Sequence, residues 1–483
     1  MSASVWHASS CLRLAVLSFL ALSAVCDKKP STRTPHSATV AASAQGQSTT
    51  PLSANDISWL FPVPTRAADF PNLIAVKDIT TLDPNDPAKR NPIWTDSVFQ
   101  QFLAIVNGPA SQVATTTAQI SLPAEARTMD AWFVAGIRID AGAPGLSSDI
   151  RAQYGQLPEI RLIIQPVIKN PDGSPKVMDI AGHLIFDFTL PKSDPSLQGA
   201  DCFPRPAADM AAFTSVVADA AVLRTKLNSG QLGGHAVSTA GVPLGIHPGL
   251  ADPATTNSVR NAMLSFLESH LSAQRLDSMA IAGLPAGAPA PWIFLSMLRV
   301  PAGVVPSLPN GGFVPVRGPA LDGQQFAQML NPAGTAPRVV PEPHTNNLNP
   351  ITCRNGAVSA TSLPIAQRNG VSTSAVFSTP PPSSDQTKQI LDTIADPTKS
   401  FFFNTDCVSC HTETRRAMDL LNVTDIPGLN TAVLPAGPWD VRNFGWGAGG
   451  KAGMQSTVTR RTANETAAVL QFINSSILAR PKP

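Results

Sequence analysis

Residues 131–140 of the chain read AWFVAGIRID. Large apolar and β-branched side chains dominate this run, which is typical of a buried β-strand. Two further apolar runs, residues 159–169 and 176–190, lie on either side of residues 170–173, NPDG. A Pro and an Asp-Gly pair between such runs predict a hairpin or tight loop. Several short strands separated by turn signals predict a sandwich-like sheet.

Helical patterns follow these strands along the chain. Residues 207–227 and 255–276 carry apolar side chains at helical spacing, which predicts two amphipathic helices packed on the sheet. Residues 379–383 are Pro- and Ser-rich and are typical of a linker. The predicted fold class is therefore α+β, with a β-rich, sandwich-like domain with added helices over residues 56–378. A second, small domain is predicted over residues 384–483.

One short motif in the second domain carries chemistry. Residues 407–411 read CVSCH, and no other C-x-x-C-H occurs in the chain. This spacing is typical of a c-type haem attachment site. The thiols of Cys407 and Cys410 can each add to one vinyl group of a haem. The imidazole of His411 is then placed under the iron as its proximal ligand.

Two other interpretations of the motif are a structural zinc site and a redox dithiol. A structural zinc site needs four ligands, usually from a second C-x-x-C or a pair of closely spaced histidines. The sequence contains neither. A redox dithiol would need a surrounding βαβ pattern, and the flanking sequence does not show one. The motif therefore favours one covalent haem c as the cofactor.

Residues 384–483 resemble a class I cytochrome c in the order of their parts. A helix precedes the motif, a second helix is predicted over residues 413–421, and a last helix over residues 457–478. The resemblance covers this segment and no other part of the chain, and it implies a small all-α domain. In that family the first and last helices pack through apolar side chains, here Ile390, Ile394, Val469 and Phe472.

The resemblance also implies a distal iron ligand on a loop before the last helix. Met454 follows the Gly-rich residues 445–453 and is the predicted ligand, since a thioether suits an electron carrier. Met418 is the rival methionine. A five-coordinate iron and a distal histidine remain open alternatives.

Several residues near Met454 are predicted to form the haem pocket. Aromatic side chains would exclude water from the iron; these are Trp439, Phe444 and Trp446. A guanidinium matches a carboxylate fork, so Arg442 is the predicted partner of a haem propionate. Equal alternatives for that role are Arg415, Arg416 and Lys451.

The N-terminus resembles a bacterial lipoprotein or secretory signal. Residues 12–25 form an apolar run that is too short to span a bilayer and suits the core of an export signal. Processing of this segment, residues 1–26, is expected to leave a lipidated Cys26; ordinary cleavage after Ala24 is the alternative. Residues 27–55 are rich in Ser, Thr and Ala, which predicts a flexible tether.

The remaining cysteines and the charge limit the other functions. Cys202 and Cys353 can form one disulfide in an oxidising compartment, and two buried free thiols are the alternative. Lys and Arg number 35 against 33 Asp and Glu, so the charge balance does not indicate a nucleic-acid partner.

Together these features predict a haem protein of the bacterial cell envelope, exported to the periplasm and with a lipid anchor if Cys26 is modified. It would carry single electrons between redox partner proteins. No catalytic residue is assigned, and residues 56–378 match no motif known for its chemistry. The alternative is a haem enzyme or sensor, in which an open haem or the unassigned domain performs catalysis or binds a ligand.

Overall fold

The structure is a computed structural model, and all the residues that it describes belong to one compact unit, residues 49–483. The described residues are 51–83, 85–108, 122–143, 157–190, 207–283, 291–300, 302, 308, 310–316, 327–329, 338–339, 382–400, 407–436, 442–449 and 453–479.

The strands of the described residues are, in chain order, β1 (Ser58–Leu60), β2 (Thr80–Asp83), β3 (Asp86–Pro92), β4 (Trp132–Ala143), β5 (Leu157–Lys169), β6 (Pro175–Val177), β7 (Ile180–Asp187), β8 (Leu276–Gly283), β9 (Pro291–Val300), β10 (Gly312–Val316), β11 (Ala327–Met329), β12 (Arg338–Val339), β13 (Phe444–Ala448) and β14 (Met454–Val458).

The helices are α1 (Ala54–Ile57), α2 (Asp96–Val106), α3 (Met210–Asn228), α4 (Pro248–Ala251), α5 (Thr256–His270), α6 (Ser384–Ala395), α7 (Cys407–Leu421) and α8 (Arg460–Phe472), which continues into a π-helical turn, Ile473–Leu478. Short 3-10 turns occur at Ala67–Asn72, Val76–Asp78, Ala124–Arg127, Met129–Ala131 and Thr431–Val433.

The described strands of the main sheet pair in the order β1-β4-β5-β7-β8-β9-β11-β12, with β6 on β5 and β10 on β9. Every pair is antiparallel. The turn between β5 and β6 follows the prediction from residues 170–173, since the N–H of Gly173 donates to the carbonyl of Asn170 at 2.8 Å. Gly173 has a φ of +81°, which glycine adopts without steric cost.

The central strands present one apolar face and one polar face, because successive side chains of a strand point to opposite sides. The apolar face carries a row of paired, fully buried side chains across five strands: Ile137, Leu162, Leu184, Met279 and Met297. Helices α2 and α5 cover part of this face. The ring of Phe266 on α5 lies 4.9 Å from that of Trp59, and Phe102 on α2 lies 5.6 Å from Trp132.

The opposite, polar face is covered by the C-terminal hairpin of β13 and β14. The amide of Gln165 on β5 holds it: Trp446 N–H donates to Gln165 Oε1 at 2.7 Å, and Gln165 Nε2 donates to the Trp446 carbonyl at 2.9 Å. The ring of Phe444 lies over Gly136, where an added Cβ would meet Cε1 of the ring at 2.6 Å. The indole of Trp446 and the hydroxyl of Ser456 both donate to the carbonyl of Phe61.

The α+β class is confirmed, but two finer expectations differ from the structure. The described strands do not divide into two facing sheets; they form one ten-stranded sheet and two two-stranded ones. Residues 384–483 are not all-α, because the β13–β14 hairpin lies within them. The last helix begins at Arg460 rather than at residue 457, since Thr457 and Val458 pair with β13 and Thr459 caps the helix.

The C-terminal segment shares its core with the sheet. Phe444, Trp446 and Val469 belong to the same buried cluster as the apolar row, so residues on the two sides of the predicted linker pack together. The predicted contact between the first and last helices is not formed by the expected side chains. Ile390 packs in a separate small cluster with Leu391 and Ala417.

We expect Gln165→Ala to lower the free energy of unfolding by about 2–4 kcal/mol, because it leaves the buried N–H and carbonyl of Trp446 without their partner. Urea unfolding of the variant and the wild type measures the difference. The matched control is Gln231→Ala, at an exposed position, which should change stability by less than about 0.5 kcal/mol. Equal stabilities of the two variants would show that the hairpin does not depend on Gln165.

Candidate functional site

The C-x-x-C-H motif forms the first turns of α7, which begins at Cys407. An α-helix advances about 100° per residue, so positions 407, 410 and 411 share one face of the helix. The side chains of Cys410 and His411 are half-buried. The side chain of Cys407 lies outside the described part of the chain.

The thiol of Cys410 lies in a position that keeps it neutral. Its Sγ accepts a hydrogen bond from Asn443 Nδ2 at 3.7 Å, and burial raises the pKa of the thiol to about 11. A metal-binding or redox-active cysteine acts as the thiolate, which a raised pKa disfavours. The surroundings of Cys410 therefore suit an uncharged sulfur better than a dithiol or a zinc thiolate.

Glu413 and Thr414 join the motif helix to the first turn of α8. Arg460 donates from Nε and Nη2 to Glu413 Oε2 at 3.1 and 2.9 Å, and the N–H of Arg461 donates to Glu413 Oε1 at 3.2 Å. The N–H of Arg460 donates to Thr414 Oγ1 at 2.9 Å. A carboxylate at a helix N-terminus is stabilised by the helix dipole. These bonds fix α7 relative to α8.

His183 on β7 lies on the polar face of the sheet, near this helix. Burial first, and then the positive charges of Arg161 and His411, hold the pKa of His183 well below its ordinary value. Its imidazole is therefore neutral at neutral pH. Among the described residues, none forms a hydrogen bond with the imidazole of His183.

A cluster of five charged side chains, called here the charged cluster, lies on the same face; it comprises Arg138, Asp140, Glu159, Arg161 and Glu465. Arg138 Nη1 donates to Glu465 Oε2 at 3.0 Å, and Arg161 Nη2 to Glu159 Oε1 at 2.6 Å. Burial, followed by the charges of Glu465 and Glu159, raises the pKa of Asp140 to about 7. Burial alone would raise the pKa of Glu465, but Arg138, Arg461 and Arg161 lower it to about 2.

Several side chains on α7 and on the polar face keep part of their surface exposed to solvent. The side chains of Arg161 and Glu465 each keep 25% of their surface exposed. Cys410, His411 and His183 are half-buried as well, although burial shifts the pKa of both Cys410 and His183. The charges of Arg161 and His411 act on His183, and the charge of Glu465 acts on Cys410, so these five partly exposed side chains lie near one another; the group is called here the recess.

The predicted pocket residues lie beside the recess but have structural partners. Phe444 and Trp446 pack between the hairpin and the sheet, so they serve the core. Arg442 Nη2 donates to Asp179 Oδ1 at 2.7 Å. Arg415 pairs with Asp419 at 2.6 Å. Trp439 and Lys451 lie outside the described residues.

The structure does not bring Met454 to the motif. Met454 pairs with Ala448 at the tip of the hairpin, whereas Asn443, which contacts Cys410, precedes the first strand at the other end. Five residues of extended strand at about 3.3 Å each separate Asn443 from Ala448 by about 16 Å. Met418, the rival, is half-buried on α7 and packs against the main core.

Other predicted features fall outside the described residues, namely Cys26, Cys202, Cys353 and the segments 1–26 and 27–50. The last residues of the predicted tether, 51–55, belong instead to the fold: Leu52 and Asn55 are buried, and α1 begins at Ala54. Across the ranges that the structure describes, no helix is long and apolar enough to cross a membrane. Those ranges also hold no group of three or more His, Cys, Asp or Glu side chains placed to bind a metal ion.

Sequence reasoning did not identify the charged cluster or His183. A signal was present: Arg138 and Asp140, and again Glu159 and Arg161, stand two residues apart in otherwise apolar strands. Such spacing places both charges of a pair on one face. His183 has no comparable signal, because its position opposite the motif follows from strand pairing.

The chain was compared with protein-family models, with curated proteins and with solved structures, and nothing matches. The function must therefore be argued from the chemistry of the site itself.

We expect Glu413→Ala to lower the free energy of unfolding by about 2–4 kcal/mol, because Arg460 would lose one of its two acid partners and keep only Asp392, and the N–H of Arg461 would lose its acceptor. Chemical denaturation followed by circular dichroism measures the loss. The matched control is Glu268→Ala, which removes the more exposed pair with Arg90 and should cost about 1 kcal/mol or less. A loss for Glu413→Ala as small as the control's would contradict the role of Glu413 in fixing α7.

The raised pKa of Asp140 predicts that the stability of the folded protein depends on pH. Because its folded-state pKa of about 7 lies above the ordinary 3.8, the folded state holds the proton more tightly. Stability from this group is therefore fully present below about pH 4 and is lost as the pH rises through about 7, by at most about 1.4 kcal/mol per pH unit.

Replacing the group tests this dependence. Asp140→Asn should remove that fall, so the variant gains stability relative to the wild type between about pH 4 and about pH 8. The control, Asp385→Asn at an exposed position, should leave the wild-type profile unchanged. Parallel profiles for Asp140→Asn and the wild type would show that Asp140 is ionised in the folded protein throughout.

Proposed function

We propose that the protein holds one covalent c-type haem and carries single electrons between partner proteins. Cys407 and Cys410 would form the two thioethers, and His411 would ligate the iron on the proximal side. When bound, the haem would supply a reversible one-electron couple. The observation that carries the proposal is the placement of these three positions on one helix face, beside the partly exposed side chains of the recess.

The chemistry of the residues present fits the haem in two respects. A thioether is uncharged, which suits the buried, neutral position of Cys410. The recess also offers a hydrogen-bond donor for a carboxylate: Arg138 Nε is buried and has no acceptor. A haem propionate would supply that acceptor. Arg138, which also pairs with Glu465, is therefore a candidate propionate partner beside Arg442, which pairs with Asp179.

The residues around the motif would hold the site in one geometry. Glu413 fixes the motif helix to α8, and Asn443 donates to the sulfur of Cys410. A hydrogen bond to a sulfur attached to the haem, and the low dielectric provided by Phe444 and Trp446, would tune the potential. A rigid surrounding suits electron transfer, because little has to rearrange when the charge changes.

The place and the partners belong to the same proposal. Haem attachment of this kind takes place after export, which is consistent with the export signal proposed for residues 1–26. The protein would then act in the bacterial cell envelope, in the periplasm, held to a membrane if Cys26 is lipidated. Its partners would be redox proteins.

A second function is favoured by one observation, the access of water to the recess. Arg161 and His183 lie where a small ligand could enter, and Arg161 is partly exposed. An iron with an open sixth position above these groups would suit a haem enzyme or sensor. The binding of carbon monoxide separates the two functions.

The first experiment is export of the chain from a host with haem c maturation machinery, followed by acid-acetone extraction and a pyridine haemochrome spectrum. One haem per chain should remain with the protein. Cys407→Ser/Cys410→Ser should carry no covalent haem, and each single variant should keep one thioether, with a shifted haemochrome band. The control Cys353→Ser should match the wild type.

The result decides between the functions. A reduced spectrum that carbon monoxide does not change supports the electron carrier, whereas ready binding supports the enzyme or sensor. A wild-type protein without covalent haem would overturn both, and so would a double Cys variant that keeps its haem.

A further inference from the structure

We propose that His183, on the central strand β7, is the sixth ligand of the haem iron, opposite His411. The inference rests on the proposed covalent haem and assigns the ligand position that the motif leaves open. Two histidines as axial ligands would give a lower potential than a histidine and a methionine, because a thioether favours the reduced iron.

The strand register places His183 on the face that the motif helix covers. His183 pairs with Ile163 on β5 and with Ala280 on β8. Its chain neighbours Gly182 and Leu184 point to the apolar face, since side chains alternate along a strand. His183 therefore points to the same side of the sheet as Arg161 and the recess.

A short chain of contacts connects His183 to Cys410. An added Cβ on Gly445 would lie 3.1 Å from Ile163 Cγ2, so the hairpin crosses the sheet directly beside the partner of His183. Asn443, two residues before Gly445, donates to Cys410 Sγ at 3.7 Å. The motif helix and the β5 partner of His183 thus both lie beside the same few residues of β13.

The surroundings of the His183 side chain suit iron ligation, which needs an imidazole nitrogen that is not engaged elsewhere. The imidazole forms no hydrogen bond with any described residue and is half-buried. Its neighbour across the strand pair, Ala280, is small and also half-buried.

Met454 is less well placed for the same role. It lies at the tip of the hairpin, about 16 Å along the strand from the residue that contacts Cys410. Binding of Met454 would require the hairpin to leave the sheet. The two hydrogen bonds between Gln165 and Trp446 oppose this change, and so does the packing of the Phe444 ring on Gly136.

The axial ligands can be read directly from spectra of the wild-type holoprotein. Electron paramagnetic resonance and near-infrared magnetic circular dichroism distinguish two imidazoles from an imidazole and a thioether in low-spin ferric haem. We expect the signature of two imidazoles and no methionine charge-transfer band. A methionine band, or a high-spin wild-type spectrum, would overturn the assignment of His183 and leave the covalent haem standing.

Variants test the identity of the histidine. His183→Ala should open the sixth position, so that ferrous haem binds carbon monoxide and added imidazole restores the low-spin spectrum. His183→Met should stay six-coordinate, gain the methionine band and shift to a higher potential. Carbon monoxide binding by His183→Ala that is no faster than by the wild type would contradict the assignment.

Two controls separate this inference from its premise. Met454→Leu and His270→Ala, the latter at a histidine that pairs with Asp219 at 2.9 Å away from the motif, should leave the spectra unchanged. If Met454→Leu allows carbon monoxide to bind the ferrous haem, then Met454 and not His183 is the sixth ligand. Absence of covalent haem from the wild type would instead defeat the proposed function. If His183→Ala does not fold, the wild-type spectra still decide.

Discussion

The two hydrogen bonds between the side-chain amide of Gln165 and the backbone of Trp446 position the C-terminal hairpin on the sheet. A peptide group buried against a sheet face must find a partner, since an unsatisfied one costs as much as a lost hydrogen bond. Gln165 supplies a donor and an acceptor at once. The hairpin can therefore lie across the sheet, and the residue before it, Asn443, comes to lie against Cys410.

Two glycines allow the C-terminal hairpin to lie this close to the sheet. Gly136 leaves space for the ring of Phe444, and Gly445 leaves space above Ile163 and Gln165, with a φ of +134° that other residues rarely adopt. A side chain at either position would hold the hairpin away from the sheet. The motif helix, joined to the next helix through Glu413, would then lose the surface that faces it.

The charged cluster on the polar face shows why one of its acids is protonated near neutral pH. Three carboxyl groups meet two guanidinium groups of the cluster, and each charge removed from water needs a partner. Glu465 pairs with Arg138, and Glu159 pairs with Arg161. Asp140 is left beside two negative charges in a buried position, which raises its pKa to about 7. The surroundings of the recess therefore change charge within the physiological range.

Local patterns in the sequence were sufficient for the elements but not for their assembly. The strand at residues 131–140 and the helix at residues 207–227 were confirmed within a few residues, because periodicity and caps are local properties. The helix predicted over residues 255–276 is present but ends at His270, and Leu276 begins β8. The hairpin was missed, since the glycines of residues 445–453 are typical of a loop. The sandwich-like arrangement was wrong because strand pairing depends on contacts between distant parts of the chain.

The sequence by itself determined the chemistry of the motif: two thiols and an imidazole at positions 407, 410 and 411 share a helix face whatever the rest of the fold does. Only the tertiary structure decided what faces them. A shift of one residue in the pairing of β7 would turn His183 to the apolar side. The register that prevents it is set by the buried row on the opposite face, which distant strands and helices build together.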